Sequence, residues 1–118
     1  MNADHTDRDA LSEKALGAVF EVSSAGFLEK VYQRALLREL NLRSMRATAE
    51  VGEHFADLLV EGELVVELKW AERLANEHTA QCLNYLRASG RTVCLLDNFQ
   101  RPKVEWKRIV RGFPTPAN

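Results

Sequence analysis

Apolar residues recur along this chain at two spacings, and the switch between them marks out its elements. From Asp9 onward, Leu11, Ala15, Ala18, Val19 and Val22 keep the three- and four-residue steps of a helix, with Asp9 or Ser12 in position to cap it. Ser23, Ser24, Ala25 and Gly26 interrupt the pattern. It resumes as a second predicted helix over residues 27–40, with Phe27, Leu28, Val31, Ala35, Leu36 and Leu40 as its apolar side. Residues 41–50 are polar and basic, carry Arg43 and Arg46, and predict no element. At Phe55 the period becomes two. Residues 55–60 and 64–70 alternate and are rich in β-branched side chains, so they read as the two strands of a hairpin.

Beyond the hairpin, residues 72–89 predict a third helix with Leu74, Ala75, Cys82, Leu83 and Leu86 as its core stripe, closed by Gly90 as a C-cap. His78, Gln81 and Tyr85 form a polar row at helical spacing on one side, and His78 there reads as a surface histidine rather than a metal ligand. Residues 91–99, RTVCLLDNF, read as a buried strand, and residues 104–110 as a last strand at an edge of the sheet. A strand, a helix of this length and a second buried strand imply a right-handed crossover onto a parallel neighbour. The predicted fold is α/β, a small mixed sheet flanked by helices, in the order helix, helix, strand, strand, helix, strand, strand.

The second strand of the hairpin carries the charges that need explaining. Glu67 and Lys69 are one side-chain period apart and so share a face, while Val66, Leu68 and Trp70 take the other. Burying ions costs several kcal/mol each unless they are paired or hold a metal. Whether Asp57 joins them depends on the turn. With Val60, Glu61 and Gly62 as a three-residue loop, Leu59 pairs with Glu63, and Asp57 lies opposite Val65 on the face of Glu67 and Lys69. A two-residue Glu61-Gly62 loop puts Asp57 opposite Val66, on the wrong face. The three-residue loop is the expectation.

At 118 residues the chain makes one domain with a real core. That domain is expected over residues 9–111, with residues 1–8 and 112–118 disordered. The composition, 46% hydrophobic and 28% charged, is that of an ordinary globular protein, and a net charge of −1 leaves nucleic-acid binding to local patches rather than to the whole field. Cys82 and Cys94 lack metal-ligand spacing and read as reduced core residues of an intracellular protein. There is no signal peptide and no apolar run of membrane-spanning length, so the expected setting is cytoplasmic, away from membranes.

Two carboxylates converging beside open space make an oxygen-ligand site for a hard cation such as magnesium, with manganese able to take its place. A bound cation of this kind acidifies its water and stabilises charge on a phosphoryl oxygen, and Lys69 beside it could orient or deprotonate that water. The parts fit phosphodiester hydrolysis. The alternative for the same residues is a cross-strand salt bridge on a solvated sheet face. On the second helix, Glu29, Tyr32 and Gln33 put a carboxylate beside a phenol and an amide; the plain reading is a solvated Glu and a half-buried Tyr.

GFLEKVY at residues 26–32 fits the pattern that names the GxxExxY family, with Gly26, Glu29 and Tyr32 in the named places. The strand of Asp57, VVELK at 65–69, HTAQCLNYL at 78–86, LLDNF at 95–99 and KRIV at 107–110 resemble the same family in the same order. That family belongs to the PD-(D/E)xK nuclease-like superfamily, so the resemblance implies a restriction-endonuclease-like core. It further implies Asp57 and Glu67 as metal ligands and Lys69 as the catalytic lysine. Glu29 would be an additional acid and Gln81 a polar residue added from the following helix, with Tyr32 and Tyr85 as support. Cys94 and Asp97 depart from the smaller or apolar residues that this strand leads one to expect. The family also carries a longer segment, with a strand, ahead of the Asp57 strand. Here only residues 41–52 fill that place, so the first strand is expected to be short or missing, which would open an edge to another chain.

Two functions of different classes follow. The first is a magnesium-dependent nuclease, DNA ahead of RNA as its substrate, using Glu29, Asp57, Glu67, Lys69 and Gln81. Lys107, Arg108 and Arg111 would meet phosphates, and Trp106 would stack on a base. The bland reading of that last stretch is an amphipathic edge strand with a solvated charged face. The second function is a nuclease-like module that binds nucleic acid or a protein without cutting. In either case a chain this small needs a second copy or a partner protein to grip a duplex.

Overall fold

The structure, a computed structural model, describes residues 3–23, 29–51, 56–100 and 103–112, with the backbone alone at 3–8, 29–30, 50–51 and 56–57. Among the described residues eight elements follow one another: α1 (Ala3–Ser23), α2 (Glu29–Leu42), β1 (Ala47–Val51), β2 (Ala56–Val60), β3 (Leu64–Lys69), α3 (Asn76–Ser89), β4 (Val93–Asn98) and β5 (Glu105–Val110). The strands form one sheet in the order β1-β2-β3-β4-β5. β3 and β4 run parallel, as the intervening helix requires, and the other neighbours pair antiparallel. The expected mixed sheet flanked by helices is present, and β5 is an edge.

The first strand is not missing. Residues 41–50, which predict no element, hold the end of α2 and most of β1. Ser44 stands in the left-handed region at φ 66°, and the amides of Met45 and Ser44 donate to the carbonyls of Leu40 and Asn41, both at 3.0 Å. That is a Schellman stop built without glycine, and the buried Met45 lies beside the buried Leu40 in the core. The chain leaves it straight into β1. Arg46 and Glu61 then extend the β1–β2 ladder, because the Glu61 amide donates to the Arg46 carbonyl at 2.7 Å and the Glu61 carboxylate accepts the Arg46 amide. β2 is therefore an interior strand, and the edge belongs to β1.

Other boundaries also moved. α1 begins at Ala3 and so takes in most of the segment expected to be disordered, while residues 113–118 of the expected tail lie outside the described residues. α3 starts at Asn76, four residues later than predicted, where His78 Nδ1 accepts the Ala75 amide at 2.8 Å; it ends at Gly90, φ 76°, as expected. On α2 the buried side runs through Tyr32, Leu36 and Leu40, while Val31 is 41% exposed. Leu36 and Leu40 are buried as expected and Ala35 packs against the core, so the expected stripe departs at Val31, whose place Tyr32 takes by stacking on Phe99 with ring centroids 4.4 Å apart. Phe27 and Leu28 lie outside the described residues.

Two apolar clusters lie on opposite faces of the sheet. Against α1 and α2, Leu58, Leu64, Val66, Val93 and Leu95 meet Ala15, Ala18, Val19, Leu36 and Leu40. Against α3, Val65, Cys94, Leu96 and Ile109 meet Cys82 and Leu86. The alternation of β3 therefore sends Val66 to one core and Val65, Glu67 and Lys69 to the other.

Candidate functional site

The hairpin loop places Asp57. Glu61, Gly62 and Glu63 form the loop, Val60 pairs with Leu64, and Asp57 stands opposite Glu67. Glu61 and Gly62 both have positive φ, 53° and 70°, and the Glu63 amide donates to the Val60 carbonyl at 3.1 Å, so the tight turn starts one residue later than expected. The loop still has three residues, and the register slides by two. A two-residue slide leaves every residue on its expected face, so Asp57 keeps the face of Glu67 and comes directly opposite it rather than opposite Val65.

Glu67 and Lys69 are not on a solvated face. They are 4% and 8% exposed, with Lys69 Nζ 3.3 Å from Glu67 Oε1. α3 covers them, and Lys69 Nζ also donates to Gln81 Oε1 at 3.0 Å. The predicted Glu67, Lys69 and Gln81 thus converge, with two elements holding the lysine. The loop between Lys69 and α3 is pinned by the buried Asn98. Its side chain accepts the Ala71 amide at 3.0 Å and donates to the Ala71 carbonyl at 2.7 Å, as a neighbouring strand would. Glu105 Oε1 accepts the Leu74 amide at 2.8 Å and so fixes the approach to α3. Asn98 and Glu105 are positioning groups that periodicity does not single out.

Glu29 is the first residue of α2, and its side chain, like that of Asp57, lies outside the described residues, as does Gly26. Tyr32 is buried rather than half-buried and packs among aromatics, with the Trp70 ring 5.8 Å away. The basic stretch of β5 divides between faces. Arg108 turns to α1, where it pairs with Asp9 and donates to Ser12 Oγ at 3.2 Å. Trp106 joins it around a cleft of about 350 Å³ lined also by Asp9, Ser12, Glu13, Leu16 and Leu95. Lys107 alternates to the opposite face, and Arg111 donates to the Arg91 carbonyl at 3.0 Å. The four residues do not form one patch, and the cleft lies across the sheet from Glu67 and Lys69.

Three buried groups were missed. The Cys82 thiol donates to Glu67 Oε2, and one ligand atom each from Glu67, Cys82 and Cys94 lies within 4.8 Å of the others. Cys94 has its pKa raised by its hydrogen bond to Cys82, then by burial, then by the nearby Cys82, Glu67 and Asp97. Both cysteines are free and buried, as expected, but they are not inert filling: together they form the floor of the candidate site. Their spacing in the chain hid this, because one comes from α3 and the other from β4. Asp97 sits on the opposite face, 0% exposed, with neither carboxylate oxygen hydrogen-bonded to a described residue, and burial pushes its pKa up to about 8. The sign of it was a charge inside an apolar strand.

Asp57 and Glu67 stand opposite each other across β2 and β3, and both are carboxylate residues, the donor type that hard divalent ions take. Among the described residues, no helix is long and apolar enough to cross a membrane. The sequence model of the PD-(D/E)XK nuclease superfamily matches residues 9–109. Neither the curated proteins nor the solved structures give a match.

Proposed function

The chain belongs to the PD-(D/E)XK nuclease superfamily, and from that premise we propose that it is a metal-dependent nuclease that hydrolyses phosphodiester bonds, DNA ahead of RNA. The observation that carries the reading is Lys69, held between Glu67 Oε1 at 3.3 Å and Gln81 Oε1 at 3.0 Å. A lysine fixed on both sides beside a carboxylate is preorganised for charge that develops on a phosphate.

In this reading Asp57 and Glu67 hold magnesium, or manganese in its place, and the ion when bound supplies Lewis acidity and an acidified water. Lys69 Nζ hydrogen-bonds the attacking water or the scissile phosphate and offsets negative charge there. Gln81 keeps the lysine aimed. Glu29, at the start of α2, adds a further acid, and the finer placement in the GxxExxY family rests on Gly26, Glu29 and Tyr32. Lys107, Arg108, Arg111 and Trp106 act as separate backbone and stacking contacts on either side of the edge strand.

The test is magnesium and manganese titration of the wild type against Asp57→Asn and Glu67→Gln, followed by cleavage of single- and double-stranded DNA and RNA. Saturable binding lost in both variants is expected, with cleavage falling about 100-fold or more in Lys69→Ala, the scale of a positioned proton-transfer group. Binding without cleavage by the wild type would favour the non-cutting module. Equal cleavage by Lys69→Ala would sink the nuclease reading as stated.

A further inference from the structure

We propose that Glu67, Cys82 and Cys94 form a site for a thiophilic dication of the zinc class, beneath the proposed magnesium position and sharing Glu67 with it. The three donors are buried, and their ligand atoms already lie within 4.8 Å of one another. Around a tetrahedral zinc, sulfur and oxygen ligands stand about 3.6–3.8 Å apart, so the hydrogen-bonded Cys82 Sγ–Glu67 Oε2 pair, at 2.5 Å, opens by about 1 Å when the thiol proton leaves, and no pair has to close by more than about 1 Å.

The donor set selects the ion. Two sulfurs and one carboxylate are poor ligands for magnesium and good ones for zinc or cobalt. The thiols are also joined to the carboxylate. Cys94 is hydrogen-bonded to Cys82, and the Cys82 thiol donates to Glu67 Oε2. Two thiol protons thus occupy the region that a cation would take. Binding breaks two S–H bonds, releases both protons to solvent and forms two metal–sulfur bonds and one metal–oxygen bond, with no change of oxidation state. Two thiolates and a carboxylate exceed a dication by one negative charge. Lys69 Nζ, 3.3 Å from Glu67 Oε1, supplies the balancing positive charge inside the fold. A fourth position is left for solvent.

The consequence for the proposed nuclease is competition. A thiophilic ion held by Glu67 Oε2 draws that carboxylate toward α3 and away from Asp57, so zinc would act as an inhibitor. This last step rests on the magnesium reading; the site itself does not.

Cobalt(II) is the probe, because thiolate ligation gives it a near-ultraviolet charge-transfer absorption that oxygen ligation does not. The wild type should bind one equivalent with that absorption, and zinc should displace it. Cys82→Ser and Cys94→Ser, each checked for fold by circular dichroism, should weaken cobalt binding by about 100-fold or more, since even outer-shell partners of a ligand are worth 10–100-fold. Asp57→Asn should keep the cobalt absorption while losing magnesium, so the two sites fail separately. Should the cysteine variants not fold, the wild type decides the matter: thiolate-to-cobalt absorption that zinc removes supports the site. Cobalt binding without thiolate absorption overturns it.

Discussion

Replacing Asp97 with asparagine should abolish a pH dependence that this one carboxyl imposes on the whole fold. Asp97 is fully buried without a hydrogen bond to any described residue, and burial raises its pKa from 3.8 to about 8. Between those values the folded chain keeps the proton and the unfolded chain loses it. The native state then binds one proton more, so stability falls as pH rises, by about 1.4 kcal/mol per unit. Below about pH 4 both states are protonated and the penalty vanishes; above about pH 8 both are ionised and it stays constant. At pH 7 roughly three units of the window have been crossed, which amounts to about 4 kcal/mol, a large share of the 5–15 kcal/mol typical of a domain. Asparagine keeps the shape and cannot ionise. Urea unfolding of both proteins at unit intervals from pH 4 to pH 8 isolates the effect, because other titrating groups cancel in the difference. The variant's advantage should be near zero at pH 4 and grow steadily toward pH 8. A difference that does not change with pH would refute the reasoning, for it would mean that Asp97 ionises in the folded chain as easily as in water.

Ser44→Gly should stabilise the protein by about 0.5–1 kcal/mol in urea unfolding, because it relieves a side chain held at φ 66° in the stop of α2. An unchanged midpoint would mean that the turn tolerates serine at no cost. Asn98→Ala should cost about 2–3 kcal/mol, since it strips the Ala71 amide and carbonyl of their partners, and faster hydrogen exchange at Ala71 and Leu74 should accompany the loss. Unaltered exchange there would show that the loop is held by something else. Leu86→Ala, at the centre of the α3 cluster, should cost about 2–5 kcal/mol by thermal or urea unfolding, and a loss below 1 kcal/mol would mean that α3 does not pack tightly on the sheet.

What the sequence determined by itself lies where a rule acts between near neighbours. The helical steps of Ala15, Ala18, Val19 and Val22 mark the buried side of α1, and the alternation around Glu67 and Lys69 sets them on one face whatever packs above it. Gly90 ends α3 because a left-handed residue there needs no distant support. Even the hairpin error was harmless to the site: a loop of odd length keeps parity, so sliding it by two residues moved Asp57 along its face and not off it. The helix stop at Ser44 was illegible because it uses the left-handed conformation without glycine. Its hydrogen bonds and the packing of Met45 beside Leu40 hold it, and neither shows in a pattern.

Only the tertiary structure decided how far the charges are buried and what they touch. Glu67 and Lys69 could have faced water; α3, fixed at its start by Asn98 and Glu105, covers them and brings Gln81 to the lysine. Cys82 and Cys94 belong to a helix and a strand whose faces meet only when the crossover closes, so their approach to Glu67 is a property of packing. The same holds for Asp97, where the sequence puts a carboxyl in a strand and the fold alone buries it away from water. Periodicity assigns a residue to a face, because that depends on backbone geometry repeated every few residues. Convergence between faces depends on which element lies across, and that is settled by the whole core at once.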